Sequence, residues 1–276
     1  MPSQWAAERR KMYDALGYIG PITLMAPDAM QAYRKHVEAF EAKYPDAAKK
    51  LYQGPHVLAP WLQDIIRNPT LLDAAEDLFG PNILMMNSGF RIKEPGTKTH
   101  SPWHQDALYM KYEPALATVM VAFSDYTEEN GCLRFIAGSH KGDLLAHEES
   151  RENDPIQTRG QRITAPFDRS REVAMPLKAG QATIFHPMII HGSPANRSSE
   201  RRIGMIFEYC PTETRRLGTR DSAMLVRGVD TYGHFDIDPV PRVEYGPEEA
   251  QNYFRKIESR TRESYKGSAI VPRPLT

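Results

Sequence analysis

The chain has 276 residues, enough for one large domain or two small ones and for a sizeable core. Its 41% apolar and 25% charged residues match ordinary globular usage and argue against disorder, collagen and coiled coil. Lys plus Arg (35) equals Asp plus Glu (35), so the pI of about 7.1 gives no electrostatic reason to expect nucleic acid or an anionic membrane as partner.

The first 20 residues lack an apolar stretch of signal-peptide length, and no run of about 18 apolar residues occurs later. The two cysteines, Cys132 and Cys210, cannot form a disulfide scaffold and belong to no zinc motif. A soluble, cytoplasmic protein in a reducing compartment is expected. The 22 prolines favour short elements and many turns over a helical bundle.

Met30, Tyr33, Val37 and Phe40 recur every three or four positions, which predicts an amphipathic helix from Pro27 to Tyr44, stopped by Pro45. A second helical stretch is expected over 60–79, interrupted at Asn68-Pro69-Thr70, with Gly80-Pro81 closing the helical third. Short runs bounded by Gly, Pro, Asn or Asp follow: 83–93, 117–123, 133–136, 172–177, 181–185 and 202–209. No helix of crossover length separates them, so the pattern predicts an antiparallel sandwich or barrel. The polar stretches 146–171 and 212–242 are expected to be long loops of the kind that form lids or binding segments.

Phosphate-binding, zincin and hydrolase-elbow motifs are absent, and Ser139 in Gly138-Ser139-His140 lacks the elbow's flanks. The informative segment is Trp103-His104-Gln105-Asp106. If it is extended, the His104 and Asp106 side chains share a face while Gln105 points away, giving two adjacent metal ligands or a histidine oriented by a carboxylate. His191, ending an apolar run before a turn, is the candidate third ligand; His186, preceding Pro187, is the weaker choice. Two histidines and a carboxylate on one face of an octahedral ion leave positions open for a cosubstrate and O₂. Eleven residues after His191, Arg202 offers a planar fork for a carboxylate.

Taken together, these residues resemble the phytanoyl-CoA dioxygenase-like family of Fe(II)/2-oxoglutarate-dependent oxygenases. The resemblance rests on WHQD at 103–106, Glu129-Asn130-Gly131-Cys132-Leu133-Arg134 followed by Gly138-Ser139-His140, His191-Gly192-Ser193 with Asn196, and Arg202. It implies a double-stranded β-helix, the cupin-like jelly roll, with a helical buttress. It also implies one oxygenase domain spanning 1–276: a helical third over 1–80, a jelly-roll core over 81–211 and a C-terminal lid or interface segment over 212–276.

By that resemblance His104, Asp106 and His191 bind Fe(II), and Arg202 with the Ser193 hydroxyl holds 2-oxoglutarate, Gly204 leaving space on the same face. The reaction implied consumes O₂, converts 2-oxoglutarate to succinate and CO₂, and hydroxylates an unactivated carbon. Asn87, Arg91, Trp103, Tyr109 and His140 are expected to line the substrate pocket. Arg91 and Lys93, two apart in a strand, suit an anionic group, so the substrate is read as a small polar, anionic metabolite. Ser222, Arg227 and His234 fall in the C-terminal stretch. No nucleic acid or membrane is expected as partner, and the chain is expected to be a monomer or homodimer. The alternatives are a halogenase, which Asp106 opposes because a small residue would stand there, and a non-catalytic cupin-like binding protein, which would not need Arg202.

Overall fold

The computed structural model describes residues 4–114, 116–150, 156–157, 160–218 and 220–264. Its helices are α1 (Gln4–Leu16), α2 (Pro27–Lys43), α3 (Gln63–Ile66), α4 (Pro69–Phe79) and α5 (Pro247–Ser264). The strands are β1 (Tyr18–Thr23), β2 (Ile83–Lys93), β3 (Ser101–His104), β4 (Tyr112–Glu113), β5 (Ala117–Ala122), β6 (Leu133–Ile136), β7 (His147–Glu149) and β8 (Gln161–Ile163). They continue with β9 (Glu172–Met175), β10 (Gln181–Phe185), β11 (His191–Ser193), β12 (Arg202–Pro211), β13 (Arg215–Arg216), β14 (Ser222–Arg227) and β15 (Asp236–Ile237).

α2 and α4 form where the periodicity predicts helices, whereas α1 was not read from the spacing. Pro27 starts α2, Asp28 and Lys43 complement its dipole, and Met30, Val37 and Phe40 are buried. At α4, Asn68 Oδ1 accepts from the Thr70 amide at 3.0 Å, Pro69 takes the first turn, and Gly80 leaves the helix at φ 82°. Short 3₁₀ turns, not one continuous helix, occupy 45–62.

Two sheets make the double-stranded β-helix. The larger runs β1-β10-β5-β12-β2-β14-β15 and the smaller β3-β11-β6-β9, with neighbours antiparallel except β14–β15. One core lies between the helices and the outer face of the large sheet, with Phe90, Val119, Ile203 and Phe207 all fully buried. A second core, including Phe135, Phe185 and Ile189, packs the sheets together. β2 and β12 are therefore covered on both faces, one by helices and the other by the barrel interior, where Arg91, Arg202 and Glu208 line the cavity.

The two stretches expected to be loops carry strands. β7 and β8 pair within 146–171, and β14 joins the large sheet beside β2. Pairing satisfies their backbone groups, with each other for β7 and β8 and with distant β2 for β14, and a short polar strand carries no local sign of it. The segment after residue 212 is thus partly sheet; its residues 265–276 lie outside the described residues. α5 is tied down by Lys256, whose Nζ donates to Asp238 Oδ2 at 2.5 Å and Ser222 Oγ at 3.0 Å. Asp238 also faces His56 Nε2 at 3.5 Å, and His56 Nδ1 lies 2.8 Å from Ser88 Oγ. Ser88, His56 and Asp238 have the order of a hydrolase triad, but at 1%, 0% and 7% exposure they are sealed from substrate and serve to anchor the helix.

Candidate active site

His104 ends β3 and His191 begins β11, and the antiparallel register sets them directly opposite each other. Their rings lie 4.1 Å apart between centroids. Gln105 is extended, at φ −121° and ψ 126°, so Asp106 returns to the face of His104 as a 3₁₀ turn begins. One ligand atom from each of His104, Asp106 and His191 falls within 4.8 Å of the others. Asp106 Oδ1 is 3.3 Å from His104 Nε2 and 3.8 Å from His191 Nε2.

The orientation of both rings is fixed from behind. His104 Nδ1 faces the Pro102 carbonyl at 2.8 Å and that of His191 at 3.1 Å, while His191 Nδ1 faces the Ile189 carbonyl at 3.0 Å. Donating through Nδ1 leaves each Nε2 with its lone pair aimed at the shared point, which is how metal-binding histidines are held. Thr118 Oγ1 donates to Asp106 Oδ2 at 3.1 Å and leaves Oδ1 for the centre. Burial pushes the Asp106 carboxyl up, but His191, His104 and Thr118 outweigh it and hold the group well below the usual carboxylate range. Burial, then His104, hold His191 down to about 4, so its imidazole is neutral at pH 7. Two imidazole nitrogens and a carboxylate oxygen on one side fit a hard-to-borderline divalent ion with open positions.

Gln105 points away, as expected, and is completely buried. Its Nε2 donates to the Asp143 and Met188 carbonyls, its Oε1 accepts from the Leu145 amide, and its own amide donates to His147 Nε2 at 3.1 Å. It thereby pins the 143–147 segment against the strand that carries His104.

Arg202 lines the same cavity from β12 at 2% exposure. One Nη donates to the Gly131 carbonyl, the guanidinium lies 4.5 Å over the Tyr126 ring, and Nε has no hydrogen-bond partner. Among the described residues no carboxylate pairs with it, so a buried cation stands ready for an anion. The space that Gly204 leaves is already filled: a Cβ there would lie 1.7 Å from the Tyr126 hydroxyl, so Gly204 admits the ring on which Arg202 rests. Ser193 lies beside Arg202 in the cavity wall.

Lys93 does not reach toward a substrate with Arg91, as the sequence reading had it. It is fully buried, donating to Ser193 Oγ at 2.6 Å, to the Ser193 carbonyl at 3.1 Å and to the Pro194 carbonyl. Burial and then the adjacent Arg202 push its pKa down to about 5. Register explains the placement, because Lys93 pairs with Arg202 across β2 and β12 while Arg91 pairs with Gly204. The sequence reading also missed Tyr126, Thr118 and Glu208, since nothing local marks a residue supplied by a neighbouring strand.

Of the expected substrate-lining residues, Asn87, Arg91 and Tyr109 line the cavity; Trp103 and His140 do not. Trp103 alternates to the face opposite His104 and packs against Phe167 at 5.8 Å, with Arg169 5.2 Å over its ring. His140 lies behind the site, 5.2 Å from the His186 ring and against Gly17. Ser222, Arg227 and His234 also lie away from the cavity: Ser222 meets Lys256, Arg227 pairs with Asp73 and Glu76, and His234 Nδ1 faces the Thr214 carbonyl.

Known proteins resemble the chain in sequence and in fold. Residues 13–204 match the family model described as phytanoyl-CoA dioxygenase (PhyH). The peroxisomal phytanoyl-CoA dioxygenase of Rattus norvegicus is 26% identical over 241 residues, covering 78% of this chain and 71% of that protein. L-proline trans-4-hydroxylase of Streptomyces griseoviridis is 28% identical, covering 68% and 80% respectively. Among solved structures, the apo form of the non-heme monooxygenase ThoJ superposes with a TM-score of 0.84 at 24% identity, covering 94% of this chain and 98% of that one. CytC3 with Fe(II) and alpha-ketoglutarate gives 0.65 at 23% identity, covering 87% and 96%. Among the described residues no helix is long and apolar enough to cross a membrane. With the family model matching well over half its length, the chain belongs to the phytanoyl-CoA dioxygenase family of non-haem iron, 2-oxoglutarate-dependent dioxygenases, whose cosubstrates are 2-oxoglutarate and O₂.

Proposed function

We propose that the chain hydroxylates an unactivated carbon of a small polar metabolite bearing an anionic group. In this reading His104, Asp106 and His191 hold Fe(II), Arg202 with Ser193 holds the distal carboxylate of 2-oxoglutarate, and Arg91 takes the anionic group of the substrate. One observation carries it: two Nε2 atoms and a carboxylate oxygen converge in the same cavity as a buried guanidinium with no carboxylate partner. Arg91 supports the substrate assignment, because its guanidinium lines the cavity and, among the described residues, its Nη1 hydrogen-bonds only the Tyr52 and Phe90 carbonyls. Polar substrates are in keeping with the names of the relatives, one a proline hydroxylase and another a probable hypophosphite dioxygenase.

Iron and 2-oxoglutarate, when bound, supply with O₂ the oxidising power for hydroxylation, and 2-oxoglutarate leaves as succinate and CO₂. The protein's own contribution is placement. The Pro102 and Ile189 carbonyls hold the imidazoles, Thr118 holds Asp106, and Gly131 and Tyr126 hold Arg202. Lys93 fixes the Ser193 hydroxyl by donating to it, which leaves the hydroxyl proton free to point at a carboxylate. Met120, Leu133, Phe185 and Ile206 form an apolar wall that keeps water from the reacting carbon. We infer one catalytic domain acting in the cytoplasm as a monomer or homodimer; the two free, buried cysteines fit a reducing compartment.

Anaerobic addition of Fe(II) and 2-oxoglutarate should produce a weak visible charge-transfer band, and either His104→Ala or His191→Ala should abolish it. Exposure to O₂ with a metabolite panel, read by succinate release, then identifies the substrate. A band that survives in either variant removes that histidine from the ligand set. Asp106 opposes the halogenase reading, and the buried guanidinium of Arg202 in the same cavity as the three convergent ligand atoms opposes a non-catalytic barrel.

A further inference from the structure

β7 and β8 form a hairpin at the edge of the cavity, with His147 opposite Ile163 and Glu149 opposite Gln161. Gln161 lines the cavity, as do Ile156 and Gln157 from the described part of the connection before β8. The hairpin is clasped to the chain around the metal ligands. Tyr109 donates to Glu149 Oε1 at 2.7 Å, and the Gln105 side chain holds the Asp143 carbonyl and the Leu145 amide. His147 makes a further clasp, and it acts on the backbone. Its Nδ1 faces the Leu145 carbonyl at 2.8 Å, and its Nε2 accepts from the Gln105 amide at 3.1 Å. A ring that accepts at Nε2 carries its proton on Nδ1, so the Leu145 carbonyl sets the tautomer, and burial lowers the pKa in favour of this neutral form.

The amide that His147 holds belongs to the peptide joining His104 to Gln105. Turning that peptide changes ψ at His104 and φ at Gln105, and so moves the His104 ring relative to the Asp106 carboxylate two residues on. The extended region in which Gln105 lies, at φ −121°, permits tens of degrees of such rotation on its own. Ligand atoms that must meet at one ion tolerate far less, roughly 10 to 20°. An acceptor fixed at the Gln105 amide removes that freedom. We propose that His147 is a positioning residue for the metal centre, which presets His104 and Asp106 through the amide between them and makes metal binding depend on the hairpin that lines the cavity. The ring itself does not reach the ion, because its accepting nitrogen is taken by the amide and the convergent ligands are His104, Asp106 and His191. The proposal rests on the metal-site reading above and adds to it a residue outside the ligand set.

The test measures Ni(II) binding to the metal-free protein by calorimetry, which involves no turnover, beside thermal unfolding of each variant without metal. His147→Phe fills the space without an acceptor and should weaken Ni(II) roughly ten- to a hundredfold, as removal of a group that orients metal ligands does. His147→Ala should behave alike and stands in for it if the larger ring prevents folding. His147→Gln places a carbonyl oxygen near the position of Nε2 and should return the affinity to within about threefold of wild type. Thr164→Val is the control for the hairpin. It removes the hydroxyl's bond to the Ala146 carbonyl, next to His147, without touching the Gln105 amide, and should leave Ni(II) affinity at the wild-type value. Wild-type affinity in His147→Phe or His147→Ala, a loss in His147→Gln as large as theirs, or the same loss in Thr164→Val overturns the proposal. Failure of the wild type to bind Ni(II) overturns the metal-site reading instead.

Discussion

Arg201 and Arg202 are neighbours in sequence that project to opposite faces, and their surroundings separate their roles. Arg201 forks onto both oxygens of Glu41 at 2.8 Å and meets Glu94 at 2.7 Å, tying α2 to the chain just ahead of β12. Arg202 points inward with no carboxylate partner among the described residues. Losing one partner of a buried ionic pair typically costs about 3 to 5 kcal/mol, a hundredfold to several thousandfold in affinity. Arg202→Ala should therefore raise the 2-oxoglutarate KM steeply while the metal still binds. Arg202→Lys should recover only part of it, because an ammonium lacks the planar fork. Arg201→Ala should leave that KM near wild type and lower unfolding stability by about 1 to 3 kcal/mol, as charge-assisted hydrogen bonds are lost. A large cosubstrate defect in Arg201→Ala, with none in Arg202→Ala, would reverse the two assignments.

The contact of α1 with the end of β10 is where pH should act on an element. His186, just past β10, packs between Tyr13 of α1, 5.9 Å away, and His140, and its Nδ1 accepts from the Met188 amide at 3.1 Å. Burial and then His140 hold its pKa down to about 4. An unfolded histidine titrates near 6.5, so between those values the unfolded chain binds the extra proton. The stability this group contributes is complete above about pH 6.5 and is lost as pH falls through that window toward 4. His186→Asn keeps an acceptor for Met188 and removes the titration. Urea unfolding at pH 7 and pH 4.5 should show a smaller loss in the variant than in the wild type; equal losses would free His186 from this role.

These same elements mark where the sequence stopped being legible. α2 and α4 follow from three-and-four spacing and their capping residues, and the runs 83–93, 133–136 and 181–185 match strands residue for residue. β1 was missed because Gly20-Pro21 reads as a turn, yet it pairs only with β10 at the sheet edge, where proline is tolerated. β7 and β8 are three-residue polar strands that pair only with each other across a loop, too short to show an alternation, and β14 depends on β2, far along the chain. At the site, His104, Asp106 and His191 were legible from a two-residue alternation and a strand end. Lys93 was misassigned and Glu208 was missed because their places are set by strand register, and Tyr126 was missed because it reaches Arg202 from the connection after β5, distant in sequence.

At the scale of the whole molecule the candidate site bridges the two sheets. His104 and His191 belong to the small sheet, while Arg202 and Lys93 belong to the large one. A metal held by the first pair and a dicarboxylate reaching from it to the second would join the sheets through the cavity. Ligands that bind only the folded state stabilise it by mass action, about 2.7 kcal/mol at a concentration a hundred times Kd. For a chain of this size that corresponds to a rise in Tm of roughly 5 to 10 °C. The increments should be ordered. Ni(II) alone, which avoids turnover, should raise Tm, and 2-oxoglutarate should add a second step only when metal is present. Arg202→Ala should keep the metal step and lose the second, whereas His191→Ala should lose both. A second step that persists in Arg202→Ala would mean that the cosubstrate does not span the sheets, and the reading of β12 as its far anchor would fail.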